Sequence, residues 1–252
     1  MGIMDGKVCI ATGAGGSIGL ASARRLVEEG AKITVVDIDQ GKVDAAVQAL
    51  GSDNALGVAA DVTDTAATKD YIAKTVDKWG NIDVLFSNAG MSGEIKPITM
   101  YDDDVFDRVM AVNVRASFLI CKYGIPHMND GGSIIVTSSI MGVTSSPGVV
   151  GYSTSKHAVI GLMRVVALEN AERNIRCNAV APGPVSNEFQ TDIERRLGQA
   201  IGGNGTDFLN ERIPMKRHAS AEEIAETVLF LASDRSSFCT GSVFNADGGL
   251  NI

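Results

Sequence analysis

Long apolar runs are missing from this 252-residue sequence. No stretch approaches the roughly 18 residues a membrane span needs. The opening Met1-Gly2-Ile3-Met4-Asp5-Gly6-Lys7 also lacks the layout of a signal peptide. These absences predict a cytoplasmic protein with no membrane partner. An excess of cations is missing as well: 22 Lys and Arg stand against 30 Asp and Glu, a formal net charge of -8. Gripping a polyanion requires clustered Lys and Arg, so nucleic acid is excluded as a partner. Cysteine is scarce and scattered. Cys9, Cys121, Cys177 and Cys239 form no CxxC pair, and His127, His157 and His218 make no ligand-like cluster. No metal site is expected, and the thiols read as buried groups in a reducing compartment. The six prolines are dispersed and no Ser/Gly-rich or charged run divides the chain. Residues 1–252 therefore read as one domain, a length that α/β folds reach.

Glycine is abundant, at 28 positions. Its share of about 11% against a usual 7% hints at sites lined by backbone. Short apolar runs alternate with helical patterns. Strands are predicted at Val8 to Thr12, Ile33 to Val36, Leu56 to Ala60, Ile82 to Phe86, Ser133 to Thr137, Ile175 to Ala181 and Val243-Phe244. Helices are predicted between them, including Val105 to Tyr123 and Tyr152 to Arg173. Ser220-Ala221-Glu222-Glu223 opens the last helix with a capping-box pattern. Seven mostly unbroken apolar strands alternating with helices imply a parallel sheet covered on both faces, a doubly wound Rossmann-type α/β fold. The segment 186–214, with Gly198, Gly202, Gly203 and Gly205, breaks the pattern and suits a flap over a site; a plain surface insertion is the competing reading.

The first strand ends in Thr12-Gly13-Ala14-Gly15-Gly16-Ser17-Ile18-Gly19, a glycine-rich turn opening into a helix. Backbone without Cβ atoms can approach a pyrophosphate, and the free amides and dipole of a helix start favour its charge. The strict GxGxxG spacing is not kept, and a turn of this kind can be purely structural. Asp37 ends the second strand, 18 residues after Gly19. A carboxylate there can bind both adenosine ribose hydroxyls and repel a 2′-phosphate, which favours NAD over NADP. Neither Ala14 to Ser17 nor Ile38 to Gln40 offers a cation for such a phosphate. An Asp that caps the following turn is the alternative. Tyr152 and Lys156 lie four apart on one helical face. Ser139 precedes Tyr152 by 13 residues at the end of a strand, and Asn113 sits midway along an earlier helix.

Taken together and in order, these segments resemble the short-chain dehydrogenase/reductase family along nearly the whole chain. The turn Thr12 to Gly19 is similar to the family's TGxxxGxG motif, Asp61-Val62 to its adenine-contacting pair, and Ser87-Asn88-Ala89-Gly90 to its NNAG segment. Asn113, Ser139, Tyr152 and Lys156 match its catalytic tetrad. Pro182-Gly183 resembles the turn beside the nicotinamide, and Asp247-Gly248-Gly249 a frequent C-terminal ending. The resemblance implies cofactor contacts from Gly13, Gly15, Gly16, Ser17, Ile18, Gly19, Asp37, Asp61, Val62, Asn88, Ala89, Gly90, Tyr152, Lys156, Pro182, Gly183, Val185 and Asn187. Two positions depart from the pattern. Ser17 stands where the family has its second loop glycine, and Asn187 where many relatives carry a Thr near the nicotinamide amide.

The resemblance further implies an NAD-dependent enzyme that moves a hydride between a secondary alcohol and its ketone, and a homotetramer joined through long helices. Tyr152 would be the general acid/base, acidified from a usual pKa near 10 by the Lys156 ammonium and the nicotinamide cation. Ser139 would orient the substrate oxygen, Lys156 would also bond the ribose, and Asn113 would support a water leading to solvent. Met91 to Glu94, Ile140, Met141, Val143, Val149 and Phe189 are the expected pocket lining, mostly apolar. A 3-oxoacyl-[acyl-carrier-protein] reductase and a silent NAD-binding scaffold are the competing functions.

Overall fold

The computed structural model describes residues 2–252, apart from the side chain of Ala200. Seven parallel strands form one sheet: β1 (Val8–Thr12), β2 (Lys32–Asp37), β3 (Ala55–Ala59), β4 (Ile82–Ser87), β5 (Met128–Thr137), β6 (Arg176–Pro182) and β7 (Val243–Ala246). Their spatial order is β3-β2-β1-β4-β5-β6-β7. Helices α1 (Ser17–Glu28), α2 (Gln40–Leu50), α3 (Thr65–Trp79), α4 (Asp103–Met110), α5 (Ala116–Gly124), α6 (Val150–Glu169), α7 (Glu188–Ile201), α8 (Gly205–Arg212) and α9 (Ala221–Ala232) follow the strands. This is the expected doubly wound sheet. Between β1 and β4 the winding reverses, the switch point outside which ligands bind in such sheets.

Side chains of one strand alternate between two cores, as the period of two requires. Cys9, Ala11, Val35 and Phe86 pack beneath Leu26 of α1 and Ile224, Val228 and Leu231 of α9. On the other face, Ile10, Val36, Leu85 and Ile134 meet Tyr71 and Ile72 of α3, Ile120 of α5 and Met163 of α6. β1 and β4 are buried along their whole length, which is why they read as unbroken apolar runs. Helix starts follow side-chain chemistry: Asp39 accepts from the Lys42 amide, Asp64 from the Ala67 amide, and Ser220 and Glu223 form the expected capping box.

Two predicted helices differ in detail. The one expected over Val105 to Tyr123 is interrupted by a five-residue π turn, Ala111–Arg115, between α4 and α5. The one expected to reach Arg173 ends at Glu169: Asn170 donates its amide back to the Val166 carbonyl at 2.8 Å, and Asn174 turns left-handed at φ 54°. The stretch 186–214, expected to mix short helical pieces with glycines, is mostly α7 and α8. Among the described residues, no helix is long and apolar enough to cross a membrane.

Candidate active site

The segments singled out in the sequence converge at the carboxyl ends of the strands around the switch point. Gly13 leaves β1 at φ +61°, and a Cβ there would lie 2.8 Å from the Ala89 Cα. At Gly19 a Cβ would strike the Gly13 carbonyl oxygen at 2.3 Å, so the first turn of α1 lies directly on the loop. Thr12 Oγ1 accepts from the amides of Asn88 (3.1 Å) and Ala89 (3.3 Å), and Asn88 Nδ2 donates to the Gly13 carbonyl at 3.2 Å. The glycine loop and the Asn88-Ala89-Gly90 segment are thus one bonded unit. Gly16 precedes α1 without any side-chain cap, which leaves the helix-start amides at Ser17 and Ile18 to an outside acceptor. That cradle, with no Cβ at Gly13, Gly15, Gly16 or Gly19, fits a pyrophosphate.

Asp37 faces this loop from the end of β2. Its Oδ2 accepts from the Gly15 amide at 3.0 Å, and its Oδ1 from the Asp39 amide at 3.2 Å. Asp37 thus shapes its own turn, the alternative reading of this residue, and also bonds the glycine loop. Lys42, two residues beyond Gln40, also lies here. A Cβ on Gly15 would fall 2.6 Å from the Lys42 Cβ and 2.9 Å from Asp37 Oδ2. Asp61 is exposed, and its Oδ1 accepts from the Thr63 amide (2.8 Å) and hydroxyl (2.7 Å), while neighbouring Val62 is buried.

Lys156 is 4% exposed and donates from Nζ to the Thr137 carbonyl at 2.8 Å. Its Nζ lies 5.6 Å from the centre of the Tyr152 ring. Burial pushes the Lys156 ammonium down to about 8. Burial also raises the Tyr152 phenol above its ordinary value, and a hydrogen bond with Ser139 pulls it back only in part. Burial alone therefore opposes the phenolate. Ser138 and Ser139 take different jobs. Ser138 donates to the Lys156 carbonyl at 2.9 Å, whereas Ser139 Oγ accepts from the Met141 amide at 3.2 Å and lies near enough to Tyr152 to lower its phenol pKa.

Asn113 is 1% exposed inside the π turn. Its Oδ1 accepts from the Met91 amide (2.8 Å), and its Nδ2 donates to the Met91 carbonyl (3.0 Å) and Ser155 Oγ (2.9 Å). Both N–H donors of this amide and one of its two oxygen lone pairs pin the loop after Gly90 to α6. Pro182 ends β6, and the Gly183 amide donates to the Ala246 carbonyl at 3.0 Å. Val185 is buried and bridges to Ala219. The two departures from the family pattern partner each other: Asn187 Nδ2 donates to Ser17 Oγ at 2.9 Å, while Asn187 Oδ1 caps α7.

Helix α7 lies over the site. Phe189 sits with its ring centre 6.5 Å from that of Tyr152, and Arg196 donates to the Gly93 carbonyl (2.5 Å) and Ser92 Oγ (2.8 Å). Tyr101 was also missed in the sequence. Its hydroxyl accepts from the Glu94 amide at 3.1 Å, and a Cβ on Gly93 or Gly151 would collide with it. No spacing rule links these residues, which come together only in the fold.

The family model described as Enoyl-(Acyl carrier protein) reductase matches residues 13–251. A 3-oxoacyl-[acyl-carrier-protein] reductase of Thermotoga maritima is 38% identical, covering 99% of both chains. A crystal structure of levodione reductase superposes with a TM-score of 0.92 at 33% identity, covering 97% of each chain. An NAD+-bound xylitol dehydrogenase gives 0.93 at 35% identity, over 98% of this chain and 99% of the other. Glycine cradle, Ser139-Tyr152-Lys156 cluster and whole-length likeness agree: this chain belongs to the short-chain dehydrogenase/reductase family of oxidoreductases.

Proposed function

We propose that the protein transfers a hydride between a secondary alcohol and NAD, with Tyr152 as general acid/base. The observation that carries this reading is the Ser139-Tyr152-Lys156 cluster at the carboxyl end of β5, with only β4 between it and the strand that opens into the glycine cradle. Bound NAD would supply the hydride-accepting ring. The amides opening α1, together with Gly15 and Gly16, would hold its pyrophosphate, and Asp37 its adenosine ribose, beside Ile38, which is 74% exposed. Asp61, Val62 and Asn88 to Gly90 would flank the adenine side; Pro182, Gly183, Val185 and Asn187 would flank the nicotinamide side.

In alcohol oxidation Ser139 donates to the substrate oxygen and holds it near Tyr152. The Tyr152 phenolate removes the hydroxyl proton as the carbonyl forms, and returns it in the reverse direction. Burial opposes the phenolate, and the Lys156 ammonium together with the positive charge of an oxidised cofactor would favour it. Lys156, held by the Thr137 carbonyl, would also bond the ribose hydroxyls. Asn113 acts by fixing Met91 and Ser155, which shape the floor of the site.

Ile140, Met141, Val143, Val149 and Phe189 favour a neutral, largely apolar ketone or alcohol, with Ser92, Glu94 and Arg196 adding a polar rim. Phe118, Val165 and Leu168 expose apolar side chains on α5 and α6, in keeping with a homotetramer joined through these helices. The four free thiols suit a reducing cytoplasm. The Thermotoga maritima relative favours a second reading, reduction of a 3-oxoacyl group on an acidic carrier protein. Against it stand Asp37 and the net charge of -8.

The test is NADH formation across cyclic, steroid-like and polyol secondary alcohols, with NAD and NADP in parallel and Tyr152→Phe as control. Turnover with NAD that vanishes in Tyr152→Phe while NADH still binds is the expected result. Turnover that survives in Tyr152→Phe, or activity confined to NADPH and an acyl carrier, overturns it.

A further inference from the structure

Helix α7 is built with two opposed working faces. Phe189 and Arg196 are seven residues apart and share the face turned to Tyr152 and the Ser92-Gly93 loop. Glu194 points away from that face, by about 140° from Phe189 and about 160° from Arg196 at 100° per residue. Among the described side chains of α7, Glu194 is the one that is buried. A carboxylate, the one buried side chain described on α7, therefore anchors the back of the helix that covers the active site, while Ile193 and Leu197 are only part-buried.

The carboxylate is fully engaged. Its Oε1 accepts from His218 Nε2 at 2.5 Å and from Gln190 Nε2 at 3.1 Å, and its Oε2 accepts from the Thr206 hydroxyl at 2.5 Å. His218 belongs to the segment after α8 and is itself buried, with its side chain 7% exposed. Its Nδ1 meets the Asn210 side chain of α8 at 2.8 Å. Two residues past His218, Ser220 caps α9, whose first turn also holds Arg217 through Glu223. The network therefore runs from the body of the protein through His218 to both flap helices. Beside this network lies an open cleft of about 570 Å³, lined by Glu194 and otherwise by Thr191, Arg195, Gln199, Asn204 and glycines, so no apolar side chain lines it that could take over.

We propose that Glu194 and His218 are positioning residues, a brace that holds α7 down over the bound nicotinamide cofactor and so sets how tightly the enzyme retains it. The proposal rests on the cofactor reading above. A buried polar network of this kind holds firmly while every member is paired, and releases when one is removed. Opening the flap lowers the fraction of protein competent to hold the cofactor, and apparent affinity falls by that fraction.

The test compares Glu194→Ala, His218→Ala and His218→Gln with the wild-type protein, using hydrogen exchange without added cofactor and fluorescence titration with NADH. Exchange over residues 188–212 should approach that of an open segment in both Ala variants while the sheet stays protected, and the NADH Kd should rise about ten-fold, as a flap closed in about one molecule in ten requires. The loss should fall on KM for the cofactor and spare kcat. His218→Gln, whose amide can reach Glu194 in place of Nε2, should recover part of the affinity. NADH binding within about two-fold of wild type in both Ala variants, or exchange that quickens equally throughout the sheet, overturns the brace. A wild-type protein that binds no NADH overturns the cofactor reading instead.

Discussion

Lys156→Met is expected to make the protein more stable and catalytically dead at once. Burial lowers the Lys156 ammonium from the usual 10.5 to about 8, so at neutral pH the folded chain holds a charge that its surroundings disfavour. At about 1.36 kcal/mol per pKa unit, the difference amounts to about 3 kcal/mol. Met has a similar length and no charge. It also deletes the 2.8 Å bond to the Thr137 carbonyl, which costs about 1 to 1.5 kcal/mol, leaving a net gain near 2 kcal/mol. The pH dependence has a definite sign. Below pH 8 the side chain is protonated whether folded or unfolded, and the penalty is complete and constant. Between about 8 and 10.5 the unfolded chain holds more protons than the folded one, so wild-type stability rises with pH and the advantage of Met shrinks. Urea unfolding at pH 7 and 9.5, at one protein concentration and without cofactor, measures both effects. A variant no more stable than wild type at pH 7, or a gain equal at the two pH values, refutes the reasoning.

Asp37→Ser removes the charge that would repel a 2′-phosphate and leaves Lys42 beside the loop. The ratio of kcat/KM for NADP to that for NAD should rise by about ten-fold or more, and steady-state assays with both cofactors would reject the idea if the ratio stays fixed. Ser17→Ala and Asn187→Ala each break the 2.9 Å bond between loop and flap. Each should weaken NADH binding by about two- to ten-fold, with the double variant no worse than either single one; additive losses would mean the two residues act separately.

The parts legible in the sequence are those set by burial and short-range spacing. β1 and β4 show as apolar runs because both of their faces are covered, and Tyr152 and Lys156 show because one helical turn separates them. The choice of Ser139 over Ser138 rested on spacing alone, and the structure gives its physical basis in the bond from Ser138 to the Lys156 carbonyl. What stayed hidden is tertiary. Ser17 and Asn187 are 170 positions apart, and Glu194 and His218 are 24 apart across two helices. Lys42 escaped because β2 turns into α2 so tightly that a residue of the next helix returns to the loop. The π turn escaped because apolar residues continue through Ala111, Val112 and Val114 as in an ordinary helix.

That π turn bears on how the chain can tolerate changes of length. It accommodates an extra residue within a helical run, so the helices on either side need not keep a common phase. α4 carries the run towards Asn113, whose orientation is dictated by Met91 and Ser155, whereas α5 must present Ala116, Ile120 and Cys121 to the sheet. Deleting one residue from 111–115 would restore an uninterrupted α-helix and rotate one of these obligations out of place by about 100°. A single-residue deletion here is therefore expected to be as damaging as loss of Asn113, and reinsertion anywhere within the same five positions should repair the phase of α5.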